Sequence, residues 1–545
     1  MQSAAALRLL ACAFAASSFV LAGCTQANVI RQRVSPTRAN ADTIAFNISE
    51  DPHSLNPILA QNDDERQIAH LVFDLLLDVD ARGKQVPALA TQVPTLQNHG
   101  IRDGGKTIVY HLRRGVLWQD GKSLTSQDVR FTWQAIVDKS NNVQSTHGYD
   151  LITQVETPDA YTAVVRLRRA WAPAVATFFT YGTSPMAIVP AHILKGKGPL
   201  ARLSFNTQPL GTGPYIFKSW ERGNRLTFVR NPRYFRGVPK TRAIVAQEVP
   251  DLNTDLTLLR SGQLDWTLLS PAQRLSLGTA PGLHFVYAPF SGFGAIAFNC
   301  RRPPFDDVRM RRAVAMSIDR QRLSDGITKG QYPVIDSDQP RFSWAYDAGA
   351  RLPSYDPAAA DAQFESLGWR RGTDGLLRRA GRPLSVVFVT FPEGDTAVRT
   401  AEYAERMLRD RGISVTIKKV TVTQFYLPKS EHGLLLSGNY DMAYVAWRTG
   451  ADPDDSDIVT CAGPSNYAGY CSAAVDALES KALGVSDVKR RKALYAGIQR
   501  ALGADLPYDF LYAPQYSFAA RDGLQGFAPS PLSPTWNAYE WYFAH

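Results

Sequence analysis

Residues 107 to 137 read TIVYHLRRGVLWQDGKSLTSQDVRFTWQAIV, and this run dictates a strand, a tight turn and a helix. Thr107 to Arg113 alternate as a half-buried strand does, and Asp120-Gly121 is a tight-turn pair. Thr125 followed three residues later by Asp128 is a variant of the capping box, so a helix starts there. Val129, Trp133, Ile136 and Val137 then recur at i, i+4, i+7 and i+8 and give that helix one apolar face.

The N-terminus predicts export. Arg8 is a sparse charged start, and Leu9 to Ala22 is an apolar run too short and too rich in small residues for a spanning helix. Residues 1–23 therefore read as a signal peptide. Its end, Leu21-Ala22-Gly23-Cys24, resembles the bacterial lipobox, in which cleavage leaves a cysteine carrying acyl chains. Several chains anchor stably where one is marginal. Residues 24–41 then form the lipidated Cys24 and a polar tether, and the expected location is the cell envelope, lipid-anchored on the periplasmic side of a membrane or on the outer face of the cell membrane.

About 520 residues remain after the leader, enough for two or three cores. No later run of 18 uninterrupted apolar residues occurs; Trp171 to Leu194 is broken by Pro173, Pro185 and Pro190. A formal charge of +10 is a mild excess for this length. It suits solubility and attraction to anionic envelope surfaces. No clustered basic and aromatic stripe is present, which argues against nucleic acid as a partner. Of five cysteines, Cys461 and Cys471 lie ten positions apart and could close a disulfide outside the cytoplasm, although spacing alone does not show that the sulfurs meet.

Further blocks follow in a set order. They are Ile48 to Ala60 (ISEDPHSLNPILA), Leu71 to Ala90 (LVFDLLLDVDARGKQVPALA), and Gly211-Thr212-Gly213-Pro214-Tyr215. A hairpin comes next, Tyr215 to Trp220 and Leu226 to Arg230 about Gly223-Asn224, closed by Asn231-Pro232-Arg233-Tyr234. Phe298-Asn299 and Pro303 to Arg309 then lead into a helix with Met310, Ala313, Val314, Ser317 and Ile318 on one face. Together with the run from Thr107, these blocks resemble the extracellular solute-binding proteins, family 5, the peptide-binding components of ABC importers.

The downstream half reads as strand Leu384 to Phe391, helix Thr396 to Arg411 ended by Gly412, and strand Ile413 to Val420. That βαβ unit requires some parallel sheet. Asp441 to Trp447 reads as a strand and Val488 to Leu502 as a long helix. The resemblance implies an α/β, two-lobed periplasmic-binding-protein-like fold, type II, of the large cluster with an extra subdomain and mixed sheets. It implies lobe I from residues 42–287 plus 512–545 and lobe II from 288–511. The hinge would consist of two crossover segments near residues 286–290 and 510–514.

Enzyme motifs fail on inspection. Gly121-Lys122-Ser123 has Gly115 at the wrong spacing for a phosphate loop and sits in hairpin surroundings. Gly292-Phe293-Gly294 imitates a dinucleotide fingerprint, but Pro303-Pro304 stands where a long helix should run, so a strand is expected. Neither G-x-S-x-G nor H-E-x-x-H occurs, and the nine histidines show no ligand spacing. Asp452 to Asp457 has the oxygens of a calcium loop, yet Asp457 stands where the sixth-position Gly belongs and Gly463 where the Glu belongs. A helix-capping acidic loop is expected, with no metal, cofactor or catalytic residue.

Binding requires less: a cleft, strand-edge backbone groups for an extended peptide, and a few charges. Matched to the family's motifs, Gln61, Asn62 and Asp63 with Ala446, Trp447 and Arg448 are the expected ligand-binding residues. One departure bears on the ligand. Peptide-binding members commonly carry an Asp three residues after this Trp for the ligand's ammonium, and here Gly450 stands there. Either Asp452 serves that role, or the amine anchor is absent and the ligand is a modified peptide, an opine or an oligosaccharide. The resemblance further implies a monomer that delivers its solute to a separate permease, with ATP hydrolysed by other subunits.

Overall fold

The run from Thr107 folds as its pattern requires. Thr107–His111 is a strand, Gly121 turns with φ +93°, and Ser126–Val137 is a helix. Asp128 accepts the Thr125 N–H at 2.8 Å and, from a distant segment, the Ala191 N–H at 2.9 Å. Val129 and Ile136 are fully buried, with Trp133 and Val137 packed beside them. The computed structural model describes residues 42–544 except 183–184, 393–394 and 428–430, so the leader, Cys24 and the tether lie outside the described residues. No described helix is long and apolar enough to cross a membrane.

Two large mixed sheets organise the chain. The first has seven strands in the order Leu283–Pro289, Gln515–Arg521, Trp266–Leu269, Thr43–Ile48, Ala243–Glu248, Arg225–Arg230 and Tyr215–Glu221. Its central strand shows the period-two logic of a sheet covered on both sides. Ile44, Phe46 and Ile48 enter one core with Tyr110, Trp118 and Trp266, while Ala45 enters a smaller one with Leu259 and Leu264. The second sheet runs Ser414–Lys419, Ser385–Thr390, Met442–Arg448, Gly292–Phe298 and Tyr508–Tyr512. Its core gathers Phe298, Met310, Phe388, Leu408 and Leu502. The expected βαβ unit is present: Ser385–Thr390 pairs in parallel with Ser414–Lys419, joined by the helix Asp395–Asp410.

The chain passes between these sheets twice. Leu283–Pro289 belongs to the first and Gly292–Phe298 to the second; Tyr508–Tyr512 belongs to the second and Gln515–Arg521 to the first. The crossings touch where the Phe290 N–H donates to the Pro514 carbonyl at 3.2 Å.

The Gly-Thr-Gly-Pro-Tyr block owes its glycines to close packing. A Cβ on Gly211 would lie 1.8 Å from the Val72 carbonyl oxygen, and one on Gly213 would lie 2.5 Å from the Val72 carbonyl carbon. Between them Thr212 donates to buried Asp74 at 2.8 Å. Gly121-Lys122-Ser123 closes a small hairpin, Trp118 N–H to Lys122 carbonyl at 2.8 Å, and Gly292–Phe298 is a buried strand.

Candidate ligand-binding site

Asp63 and Arg448 meet. Asp63 opens the helix Asp63–Val72, whose N-cap is Asn62: its side chain accepts the Glu65 N–H at 2.9 Å while its amide donates to Glu50 at 2.7 Å. Gln61 is tied down by its backbone, donating to Glu65 at 2.6 Å and accepting from Arg66 at 3.3 Å. Arg448 ends the strand Met442–Arg448 of the second sheet, and its guanidinium holds both Asp63 oxygens, at 2.9 and 2.8 Å. The same group donates to the Tyr516 hydroxyl at 2.7 Å and lies 5.3 Å from the centre of the Phe290 ring. Tyr516 and Phe290, 5.2 Å apart edge to face, come from the two crossings.

The strand Met442–Arg448 leaves one edge partly open. It pairs along its whole length with Gly292–Phe298, but on its other side only Met442 and Ala443 meet Phe388 and Val389. Antiparallel bonding alternates, and Thr449 donates to the Ser291 carbonyl at 2.8 Å, so 445 and 447 also bond that neighbour. The backbone groups of 444, 446 and 448 therefore point to the other side, where the Ala446 main chain meets the Tyr426 hydroxyl. Ala446 is exposed, between buried Val445 and half-buried Trp447. Trp447 stacks on Tyr467 with centroids 5.2 Å apart and an interplanar angle of 12°. Its buried indole N–H has no hydrogen-bond partner among the described residues.

Asp452 is engaged elsewhere. Arg491 grips both its oxygens at 2.7 Å, with side chains only 5% and 11% exposed. Arg491 also donates to the Tyr495 hydroxyl and lies over Trp344. Asp452, Trp344 and Arg491 border a cavity of about 360 Å³ shared with Gln85, Val93 and Val175.

The acidic loop that follows divides its labour. Asp455 stands at the N-cap of the short helix Ser456–Val459 but its side chain makes no capping bond, contrary to the expected capping loop; Asp454 accepts the Ser456 N–H at 3.1 Å from the turn before it. Asp455 instead turns inward to Glu479 and Asp338, all three buried. Both oxygens of Asp455 and of Glu479 lack a donor among the described residues. Burial pushes Asp455 well above the ordinary carboxylate range, with Glu479 and Asp338 adding repulsion. Burial likewise raises Glu479 to about 8. Shared protons are what satisfy such a cluster at neutral pH. Among the described residues no group of His, Cys, Asp or Glu is arranged to hold a metal. The structure joins Cys461 to Cys471 by a disulfide, which closes the loop after the acidic segment.

The profile of the bacterial extracellular solute-binding proteins, family 5, middle region, matches residues 84–469. The chain belongs to this family. Among relatives, the oligopeptide-binding protein AppA of Bacillus subtilis is 25% identical over 525 residues, covering 92% of each chain. The structure of that protein in complex with a nonapeptide superposes with a TM-score of 0.74, covering 92% of this chain and 99% of the other at 24% identity. NikA from Brucella suis in complex with Fe(III)-EDTA shares the fold with a TM-score of 0.81, covering 92% of this chain and 100% of that one at 18% identity.

As a family 5 solute-binding protein this chain binds its solute without transforming it, and it is exported. Sequence reasoning missed Tyr516, Phe290 and Tyr467, which touch the residues it named, and Tyr181, which lies within reach of the Asp63 and Arg448 charges. Phe290 sits at a crossing, outside any strand, and Tyr516 is the second residue of the strand that follows the other crossing, where a strand pattern says nothing of what the ring meets. Tyr181 follows a positive-φ residue, Phe179, in an irregular segment.

Proposed function

We propose that this protein is the substrate-binding lipoprotein of an ABC importer, anchored through Cys24, which captures a peptide or peptide-like solute and hands it to a membrane permease. Residues 42–287 with 513–545 act as one lobe, which Ala288 and Pro289 extend beyond the expected boundary, and residues 290–512 act as the other, closing about the two crossings. The solute binds the closed form better, and that difference shifts the population. One observation carries this reading: beyond Ala443 no other strand pairs this edge, which runs past Ala446 and Arg448 with Tyr426 beside it, Trp447 and Arg448 flanking it and Asp63 opposite. An extended peptide would continue the sheet there. Gln61 and Asn62 shape the opposite wall, and the Trp447 indole N–H supplies a donor.

Asp452 carries a charge already balanced by Arg491, so it contributes shape, and the charges free to meet a solute's ends are Asp63 and Arg448 once their pair opens. The same observation favours a second reading, a receptor for a solute without a free ammonium, such as an opine or oligosaccharide. Native mass spectrometry of protein purified without denaturation distinguishes the two. Co-purified peptide masses support the first, sugar or opine masses the second. A chain that carries no solute and fails to bind a peptide library by calorimetry overturns peptide capture.

A further inference from the structure

Between the helix Pro357–Ser366 and the strand Ser385–Thr390 the chain folds a small antiparallel sheet, Arg370–Arg371, Leu377–Arg379 and Arg382–Pro383. It presents five arginines: Arg370, Arg371, Arg378, Arg379 and Arg382. The register sets Arg370 opposite Arg378 and Arg379 opposite Arg382. Like charges directly across strands destabilise a sheet, so folding alone does not call for this pattern. Buried Leu377 holds the sheet to the body, its N–H bonded to the Gly412 carbonyl at 2.7 Å.

Local acids neutralise only part of this charge. Asp374 pairs with Arg378 at 2.6 Å, and Glu365 lies 3.6 Å from Arg370 with both side chains mostly in solvent. Arg379 covers Trp369 beside a groove that also holds Asp306 and Asp307, and Asp307 is taken by Arg309 at 2.7 Å. Arg382 is exposed and has no acidic partner among the described residues.

We infer that this arginine sheet is a contact surface for anionic phospholipid headgroups of the membrane beside which the exported chain works. Guanidinium forks bind phosphate oxygens in pairs, and a cluster of basic side chains gains from the negative potential of an anionic bilayer. A protein partner fits less well. None of the large apolar side chains left exposed among the described residues lies on this sheet, and although arginine is common at protein interfaces it acts there beside buried aromatic or aliphatic anchors. The surface is independent of the solute and of acylation at Cys24; it would orient the body against the membrane.

The test is flotation of the full chain carrying Cys24→Ser with vesicles of phosphatidylcholine, with or without phosphatidylglycerol. The apolar leader acts on both vesicle types, so the ratio between them is the readout. Arg370→Glu with Arg382→Glu should lower that ratio by at least roughly tenfold. High salt should abolish the preference. Arg370→Gln with Arg382→Gln, milder for folding, should lower it less but in the same direction, with an unchanged melting temperature. An equal loss in Lys139→Glu with Lys195→Glu, outside the sheet, would reduce the effect to net charge and overturn the proposal. Binding to native membranes but not to protein-free anionic vesicles would assign the sheet to a protein partner and overturn it equally.

Discussion

Arg448 holds both carboxylate oxygens of Asp63 although 385 residues separate them in sequence. The pair ties the strand that ends in Arg448 to the helix that Asp63 opens, and Tyr516 from a crossing strand completes it. Such a contact ties the two sheets to each other.

Removing it should therefore favour an open form. Because the Asp63 side chain is half exposed, the pair contributes no more than about 1 kcal/mol, or roughly a fivefold change in population. Small-angle scattering of solute-free Arg448→Ala should give a larger radius of gyration than the parent. Arg448→Lys should lie between them, since an ammonium cannot reproduce the two-pronged contact.

Asp452 and Arg491 form a different kind of pair, buried on both sides. Taking away one partner leaves a charge without compensation, and Arg491→Met should cost about 3–5 kcal/mol in urea unfolding. Asp452→Asn combined with Arg491→Met should recover most of that loss. If Asp452 holds a solute ammonium, Asp452→Asn weakens peptide binding by at least roughly tenfold in calorimetry. The expected result, with Arg491 already in place, is a smaller change.

The buried carboxyls Asp338, Asp455 and Glu479 predict a pH dependence. Their folded-state values are raised, so the folded chain binds more protons than the unfolded one, and their contribution is complete below the ordinary carboxylate range. It falls as pH rises from about 4.5 toward about 8, the ordinary and raised values for Glu479. Glu479→Gln imitates the protonated form. Its stability relative to the parent should grow by more than about 1 kcal/mol between pH 5 and pH 8 in urea titrations.

Gly213 is where the Gly-Thr-Gly-Pro-Tyr block meets the backbone of Val72, with its own N–H bonded to the Val72 carbonyl at 2.8 Å. A methyl group there pushes against main chain that cannot rotate away. Gly213→Ala should lower stability by at least about 2 kcal/mol in thermal or urea unfolding. Gly223→Ala, at a turn with open space around it, should cost less, because only its positive φ is at stake.

Local elements were readable because each rests on a period or a cap within reach of its own residues. The helix from Ser126, the hairpin from Tyr215, the βαβ unit and the long helix from Val488 all stand within about three residues of where their patterns place them. The strand at Gly292 was separable from a nucleotide loop because Pro303-Pro304 forbids the helix such a loop requires. The site was legible only as names. Gln61 to Asp63 and Ala446 to Arg448 could be matched to a motif, but nothing local relates a side chain at 63 to one at 448.

The sequence by itself determined the α/β pattern and membership in a solute-binding family, since repeated short-range constraints encode both. Only the tertiary structure decided which charges are free. It paired Asp452 with Arg491, turned Asp455 inward to Glu479, and faced Asp63 with Arg448. Those outcomes depend on which distant group burial brings within hydrogen-bond distance, and no spacing along the chain carries that information.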